Sequence, residues 1–431
     1  MKVQKSYQLS AFGGMNFVFN FLDNLQIEPI ISKNLPTMPH QSKYSWKDIL
    51  YSLFSVYMCG GDAVEDIGLH LKNHFKNNPF VKLPSPDTTL TRMKQLATPM
   101  RTCQTKRGSV NHDYNTNTLL DSLNIKLLKR LGAFNAKEIT LDFDNTIIFS
   151  EKEDCKMTYK RNKGYQPAVC TINENYILYI ENRGGNSDAK SFQGDTINRA
   201  FDLLKSSQCT KIDNFRADAA SYQFDVINIV EANTSNFYIG CRNSYVEKYY
   251  SQITSWQLIK DSTGQNMEVG EISITPFEVQ AKKAGKMPKT YRLVVKRKKN
   301  KNGQINMITN DAYDYRSIIT NNKNFSAVEV AQFYNQRGNM EKQFDILKND
   351  FGWNNMPFSK MNQNTVFLYF TAIFRNLYNN IIRYFSQRVK GLKHYHRVKK
   401  FLFRFIILPA KWIRRSRQTQ LKIYGDIPLK I

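Results

Sequence analysis

Residues 138–149 read EITLDFDNTIIF. Apolar and polar residues alternate and β-branched and aromatic side chains are frequent, which predicts a strand. Side chains along a strand point to opposite faces in turn. Asp142, Asp144 and Thr146 therefore share one face, and Leu141, Phe143 and Asn145 the other. A carboxylate in the middle of a strand of a mostly buried sheet is costly unless it is paired or bound to a cation. One of these two aspartates is a candidate for chemistry, with Asp144 favoured and Asp142 as its rival.

Working outward, QPAVCTIN and YILYIENR read as two more strands joined by a short Asn-rich turn. GDTINRAFDLLKSS reads as a helix capped by Asp195 or Thr196, CTKIDNFRAD as a strand ending at Asp218, SYQFDVINIVEAN as a helix, and FYIGCR as a strand. The order β, β, β, α, β, α, β gives an α/β class. Residues 251–320 are richer in strands, with a hairpin expected at Asn302-Gly303 and a basic cluster at Lys296–Lys299. The first hundred residues look helical. WKDILYSLFSVYM is amphipathic, and Ser85 or Asp87 can cap a later helix that carries Arg92 and Lys94. That region suits a helix-turn-helix or a plain helical bundle equally well. No acidic residue stands between Asp350 and Asp426, while arginines and lysines accumulate there, Arg414 and Arg415 among them. Such a tail reads as a DNA-backbone contact.

A second decisive stretch is YNQRGNMEKQFDILK, residues 334–348. At about 100° per residue, Tyr334, Arg337, Glu341 and Lys348 fall within roughly 60° of one helix face. Phe333, Met340, Phe344 and Leu347 gather on the adjacent face and would pack it. The alternative is a plain solvated charged face.

The chain has 431 residues, enough for two or three domains, and a net charge of +26 with pI near 9.7. Such an excess repels itself and points to a polyanionic partner, nucleic acid first. No run of about 18 apolar residues lacks a charge or proline, so no membrane span is expected. The opening MKVQKSYQLS has no apolar core, so no signal peptide is expected. The cysteines at 59, 103, 155, 170, 209 and 241 form no C-x-x-C pair, which suggests buried thiols of a reducing, cytoplasmic compartment. His394 and His396 lack acidic neighbours and are poor metal ligands.

Phosphodiester cleavage without histidine calls for metal ions, and two Mg²⁺ about 3.5–4 Å apart serve both the attacking and the leaving oxygen. Hard Mg²⁺ prefers carboxylate oxygens. Asp144, Asp218 at a strand end and Glu341 on the late helix can supply them. Asp213 and Asp225 are weaker rivals of Asp218, and Asp345 of Glu341.

This layout resembles the RNase H-like fold of DDE transposases. Tyr334-x2-Arg337-x3-Glu341-x6-Lys348 is similar to the Y-R-E-K signature of bacterial cut-and-paste insertion-sequence transposases, and Asp144-Asn145-Thr146 to the D-x-T around their first aspartate. The resemblance covers about residues 135–385. It implies a helical DNA-binding region at 1–130, a core split between 131–250 and 311–385, a β-rich insertion at 251–310 and a basic helical tail at 386–431. It further implies that Asp144, Asp218 and Glu341 bind two Mg²⁺, with Mn²⁺ able to substitute, and that Tyr334, Arg337 and Lys348 hold phosphates of the transposon end. Trp256 is a candidate for stacking on a base, with a packed tryptophan as the alternative. The expected activity is nicking at the element's ends followed by attack of the 3′-hydroxyl on DNA, performed by a homodimer. Alternatives are a metal-dependent nuclease that does not join, and an inactive DNA-binding descendant.

Overall fold

The computed structural model describes residues 9–426 except 105–109, 210, 262–263, 301–304, 306–311 and 416. The N-terminal region builds α1 (Gly14–Asn24), α2 (Ile27–Asn34), α3 (Trp46–Met58), α4 (Pro86–Lys94) and α5 (Thr118–Arg130). In α3, Ser45 and Asp48 form a reciprocal capping box, which satisfies two backbone donors at once. Ser85, not Asp87, caps α4, with Pro86 in its first turn. This region is not purely helical: β1 (Arg101–Gln104) and β2 (Asn111–Asn115) pair with each other.

The core follows in the expected order: β3 (Thr140–Asn145), β7 (Ala168–Ile172), β8 (Tyr176–Arg183), α6 (Gln193–Ser206), β9 (Ile212–Ala217), α7 (Phe224–Asn233) and β10 (Thr234–Cys241). Three short strands, β4 (Ile148–Phe149), β5 (Lys156–Met157) and β6 (Lys163–Tyr165), form a separate small sheet between β3 and β7. β3 runs parallel to β9, and β9 to β10, while β7 and β8 are antiparallel. Neither Asp195 nor Thr196 caps α6. Its N-cap is Phe192, in the left-handed region, without a side-chain cap.

After α8 (Asn243–Val246), the insertion supplies β11 (Gln257–Lys260), β12 (Asn266–Ile274), α9 (Glu278–Lys283), β13 (Tyr291–Lys299) and then β14 (Tyr313–Thr320). These strands do not stand apart. β14 pairs with β10 (Tyr238↔Thr320), so one eleven-stranded sheet runs β1-β2-β8-β7-β3-β9-β10-β14-β13-β12-β11. The expected turn at Asn302-Gly303 lies outside the described residues. Within them, β13 finds its hairpin partner in β14.

α10 (Ala327–Asn335), a 3₁₀ turn at Gln336–Gly338 and α11 (Asn339–Asp350) replace the single helix expected over this region. Gly338 lies in this turn, and a side chain from another element bonds at its start. The Phe333 carbonyl accepts from Arg216 Nη1 (2.8 Å) as well as from the Gln336 amide, which tightens the turn.

α12 (Met361–Ser386) is buried along most of its length. It blunts the free half of β8's edge, which would otherwise expose unpaired backbone groups. Asn376 accepts from the Ile177 amide (2.8 Å), Tyr369 OH accepts from the Ile180 amide (3.1 Å), and Asn124 of α5 donates to the Ile177 and Leu178 carbonyls.

The tail departs from the helix expected of it. After α13 (Val398–Phe401), β15 (Ala410–Arg415) and β16 (Gln418–Ile423) pair antiparallel. The pair is docked on the N-terminal helices by Trp412, whose indole donates to Asn16 (3.1 Å) and lies near Phe80. No helix among the described residues is long and apolar enough to cross a membrane.

Asp121 of α5, 3 % exposed, hydrogen-bonds the Tyr369 hydroxyl. Burial, opposed by that hydrogen bond and reinforced by Glu181, pushes its carboxyl up to about 7. The folded state thus binds this proton more tightly than the unfolded state, so stability falls as pH rises from about 4 to 7. Asp121→Asn has no such proton to lose. Its melting temperature relative to wild type is expected to climb between pH 5 and pH 8, and a constant difference would refute the assignment.

Candidate active site

β3 and β9 are parallel neighbours with Phe143 opposite Ala217. Asp144 and Asp218, each one residue further on, therefore stand side by side at strand C-termini, where ligands of α/β sheets gather. Asp218 caps the 3₁₀ turn that follows, its Oδ1 accepting from the Ala220 amide (3.0 Å). Asp144 accepts from the Asn145 amide through Oδ1 (2.8 Å) and from Arg337 Nη1 through Oδ2 (2.9 Å). Burial first, and the adjacent Asp218 second, push the Asp144 carboxyl up to about 6, against the pull of Arg337.

Glu341 lies across the cleft on α11, 76 % exposed, with Arg337 Nη2 3.9 Å from its Oε1. The Arg337 guanidinium therefore lies between Asp144 and Glu341. Its pKa is held above the ordinary value: burial works against the charge, but Tyr334, Asp144 and Asp218 outweigh it. Tyr334 OH donates to the Ala217 carbonyl (3.2 Å), the residue before Asp218, and burial pushes its hydroxyl up to about 12. Gly240 makes room for it, since a Cβ there would lie 2.5 Å from that hydroxyl. Lys348 Nζ donates to the Ile147 carbonyl just beyond β3 (2.7 Å). Its pKa is lowered by burial and then by Lys160.

Asp142 is buried and already paired within the protein. It is 0 % exposed and meets Arg216 through two bonds, at 2.7 and 2.8 Å. Asp213 accepts from the Ile139 amide at the far end of its strand, and Asp345 is engaged by Arg397 at 2.5 Å.

A cleft of about 830 Å³ brings together Asp144, Asp218, Arg337, Glu341 and Lys348. Among the wall residues that the sequence reading missed are Tyr159, Lys160, Asp188, Lys190 and Arg242. The run KMTYKRNKG (156–164), a tyrosine among cations, was the available signal for the first two. Other candidates stand elsewhere. Trp256 is half-buried outside the cleft, with Arg297 3.8 Å over its ring and its indole N–H on the Ile253 carbonyl (3.2 Å). Arg92 bonds Gln95 and Ser42, and Lys94 lies over Phe358. Arg414 and Arg415 are exposed on β15.

Among the described residues, no three His, Cys, Asp or Glu side chains are close enough together to hold a metal ion. Asp144 and Asp218 at adjacent strand ends, with Glu341 lining the same cleft, are nevertheless carboxylate donors of the kind that a hard cation takes. The Arg337 guanidinium between Asp144 and Glu341 shows that this space favours positive charge.

A family model described as transposase DDE domain group 1 matches residues 4–430. The chain belongs to that family. It is a DDE transposase with an RNase H-like core, in a family whose members cut and transfer DNA strands with divalent metal ions. Among solved structures, similarity is found to a piggyBac transposase synaptic complex with hairpin DNA, at 10% identity over 93% of this chain and 82% of that one, TM-score 0.44. A Mos1 transposase paired-end complex with the left transposon end matches at 10% identity over 51% and 75% of the respective chains, TM-score 0.17. The search of curated proteins found no match.

Proposed function

We propose that this transposase nicks its element at both ends and joins the freed 3′-hydroxyl to target DNA, with Asp144, Asp218 and Glu341 as the metal-binding triad. The observation that carries this is the pairing of Asp144 and Asp218 on adjacent parallel strand ends, facing Glu341 across Arg337. Mg²⁺, in two ions, is the proposed cofactor, with Mn²⁺ as a substitute. When bound, it would neutralise charge developing on the phosphate and on the attacking and leaving oxygens.

The chain's own residues prepare the site. Tyr334, Arg337 and Lys348 would grip phosphates of the transposon end. Arginine does so through a planar fork of donors and lysine as a point charge. Each now satisfies itself on protein: Arg337 on Asp144, Lys348 on a carbonyl, Tyr334 on a carbonyl. Binding the DNA end therefore exchanges internal partners for phosphates and frees Asp144 for a cation. A homodimer would pair two ends, and the +26 charge suits a nucleoid-associated cytoplasmic enzyme.

The test uses a duplex carrying a terminal inverted repeat, to be identified in the DNA on either side of the gene. Nicked and joined products in Mg²⁺ support the reading. Nicking without joining would leave only a nuclease, and binding without either would leave an inactive copy.

A further outcome separates Arg337's two roles. Arg337→Ala removes a cation that competes for Asp144, so Mn²⁺ binding by calorimetry is expected to tighten several-fold. DNA affinity is expected to fall, with a salt dependence shallower by about one phosphate contact. Weaker Mn²⁺ binding in the variant would count against the exchange.

A further inference from the structure

The small β4-β6-β5 sheet has no part in the catalytic arrangement described above, yet its tip forms one wall of the cleft. β5 and β6 are joined through Thr158-Tyr159-Lys160-Arg161-Asn162. Tyr159 is 67 % exposed, and Phe149 and Met157 of the same small sheet are exposed as well. Tyr159, Lys160 and Phe149 line the same cleft as Asp144, Asp218 and Lys348.

The tip is held firmly. The Thr158 amide and hydroxyl both donate to the Asn162 carbonyl (2.9 and 2.8 Å), and the Arg161 amide donates to the Thr158 carbonyl (2.9 Å). Arg161 sits in the left-handed region at φ 62°, a conformation that a non-glycine residue rarely holds. The base of the small sheet is pinned to the start of α12, with the Glu153 amide on the Ser359 carbonyl (3.1 Å) and the Met361 amide on Asp154 (2.6 Å). Gly185 packs so closely under β5 and β6 that a Cβ there would lie 2.3 Å from the Lys156 carbonyl.

An exposed ring held beside cations is costly in water and suits one class of ligand. Unpaired nucleotides offer a π-face to the ring and a phosphate to the cations. Stacked duplex bases show no such face. Lys160 also lies near enough to Lys348 to lower its pKa, and two ammonium groups held together favour an anion between them.

We propose that the tip Tyr159-Lys160-Arg161 is a binding site for unpaired DNA beside the cleavage point, with Tyr159 stacking a base and Lys160 holding its neighbouring phosphate. The inference rests on the transposase reading above and adds to it a single-strand subsite outside the triad.

The experiment titrates purified full-length protein, in EDTA, into oligothymidylate of about 20 nucleotides carrying one 2-aminopurine, and into a duplex of the same length. Tyr159→Ala is expected to lose about tenfold in single-strand affinity, together with the quenching of 2-aminopurine. Duplex affinity should change far less, and Tyr159→Phe should keep both stacking signals. Lys160→Gln should weaken single-strand binding and flatten its salt dependence while retaining quenching. Equal single-strand affinity and quenching in wild type and Tyr159→Ala, with unchanged melting temperatures, would overturn the proposal. Mg²⁺-dependent cutting of the terminal-repeat duplex by wild type is run alongside. If it is present, the failure is confined to the tip; if wild type neither cuts nor binds DNA, both readings fail.

Discussion

Asp218→Asn, Asp144→Asn and Glu341→Gln are each expected to lower Mg²⁺-dependent DNA cleavage by roughly a thousandfold while leaving DNA binding intact. Each replaces a carboxylate by a neutral amide of the same shape, so packing is preserved and charge is lost. A divalent ion supplies several kcal/mol of stabilisation to developing charge, and about 4 kcal/mol corresponds to three decades in rate. The variants should differ in stability. Glu341 is exposed, and its one ion pair among the described residues is with Arg337 at 3.9 Å, so Glu341→Gln should melt like wild type. Asp144→Asn relieves the burial and the Asp218 charge that push this carboxyl up to about 6, so it should be at least as stable. Cleavage is read on a labelled terminal-repeat duplex, with binding measured in EDTA. Cleavage that survives Glu341→Gln would remove Glu341 from the triad and return the stripe to a charged helix face. DNA binding that vanishes in all three variants would mean that the acids hold the fold rather than the metal.

The strand order and the two aspartate positions were legible because both rest on local pattern. Alternation in 138–149 put Asp142 and Asp144 on one face, and Asp218 closed a strand. What alternation cannot decide is which of two aspartates on one face is paired. That depended on Arg216, 74 residues further along the chain than Asp142. Arg216 also bonds the Phe333 carbonyl and Gln336 where α10 gives way to the 3₁₀ turn. Helical spacing in 334–348 carries no trace of a donor from another element. The tail was misjudged for a related reason. A run of cations is compatible with helix or strand, and the hairpin is docked by Trp412 meeting Asn16 and Phe80, both more than three hundred residues away in sequence. Continuity of the insertion with the core sheet likewise depends on β14 finding β10, a long-range pairing. Of the site, Arg337, Glu341 and Lys348 were readable from spacing. Lys190 and Arg242 were not, since each reaches the cleft from a loop or strand end that only the fold brings there.

Arg216→Met is expected to destabilise the protein by about 3–5 kcal/mol, the usual cost of leaving a buried charge without its partner. For a chain of this size that is a drop of roughly 5 °C in apparent melting temperature. Asp142 and Arg216 are both 0 % exposed and meet through two bonds. Arg216 also reaches Glu174 (2.9 Å), the Phe333 carbonyl (2.8 Å) and Gln336 (3.0 Å), and stacks on the Phe333 ring. One guanidinium thus ties β9 to β3 and both to the turn between Tyr334 and Arg337. The pair as such need not be stabilising, because replacing both charges by apolar groups of similar volume is often neutral or better. The double variant Asp142→Leu/Arg216→Met should therefore recover most of the lost stability. It should not recover cleavage, since the Phe333 and Gln336 contacts that set the tight turn, and with it the aim of Arg337 at Asp144, are still missing. Stability restored without activity would mark Arg216 as a positioning residue. If Arg216→Met melts like wild type, or the double variant regains full cleavage, the turn between α10 and α11 is held by something other than this buried arginine.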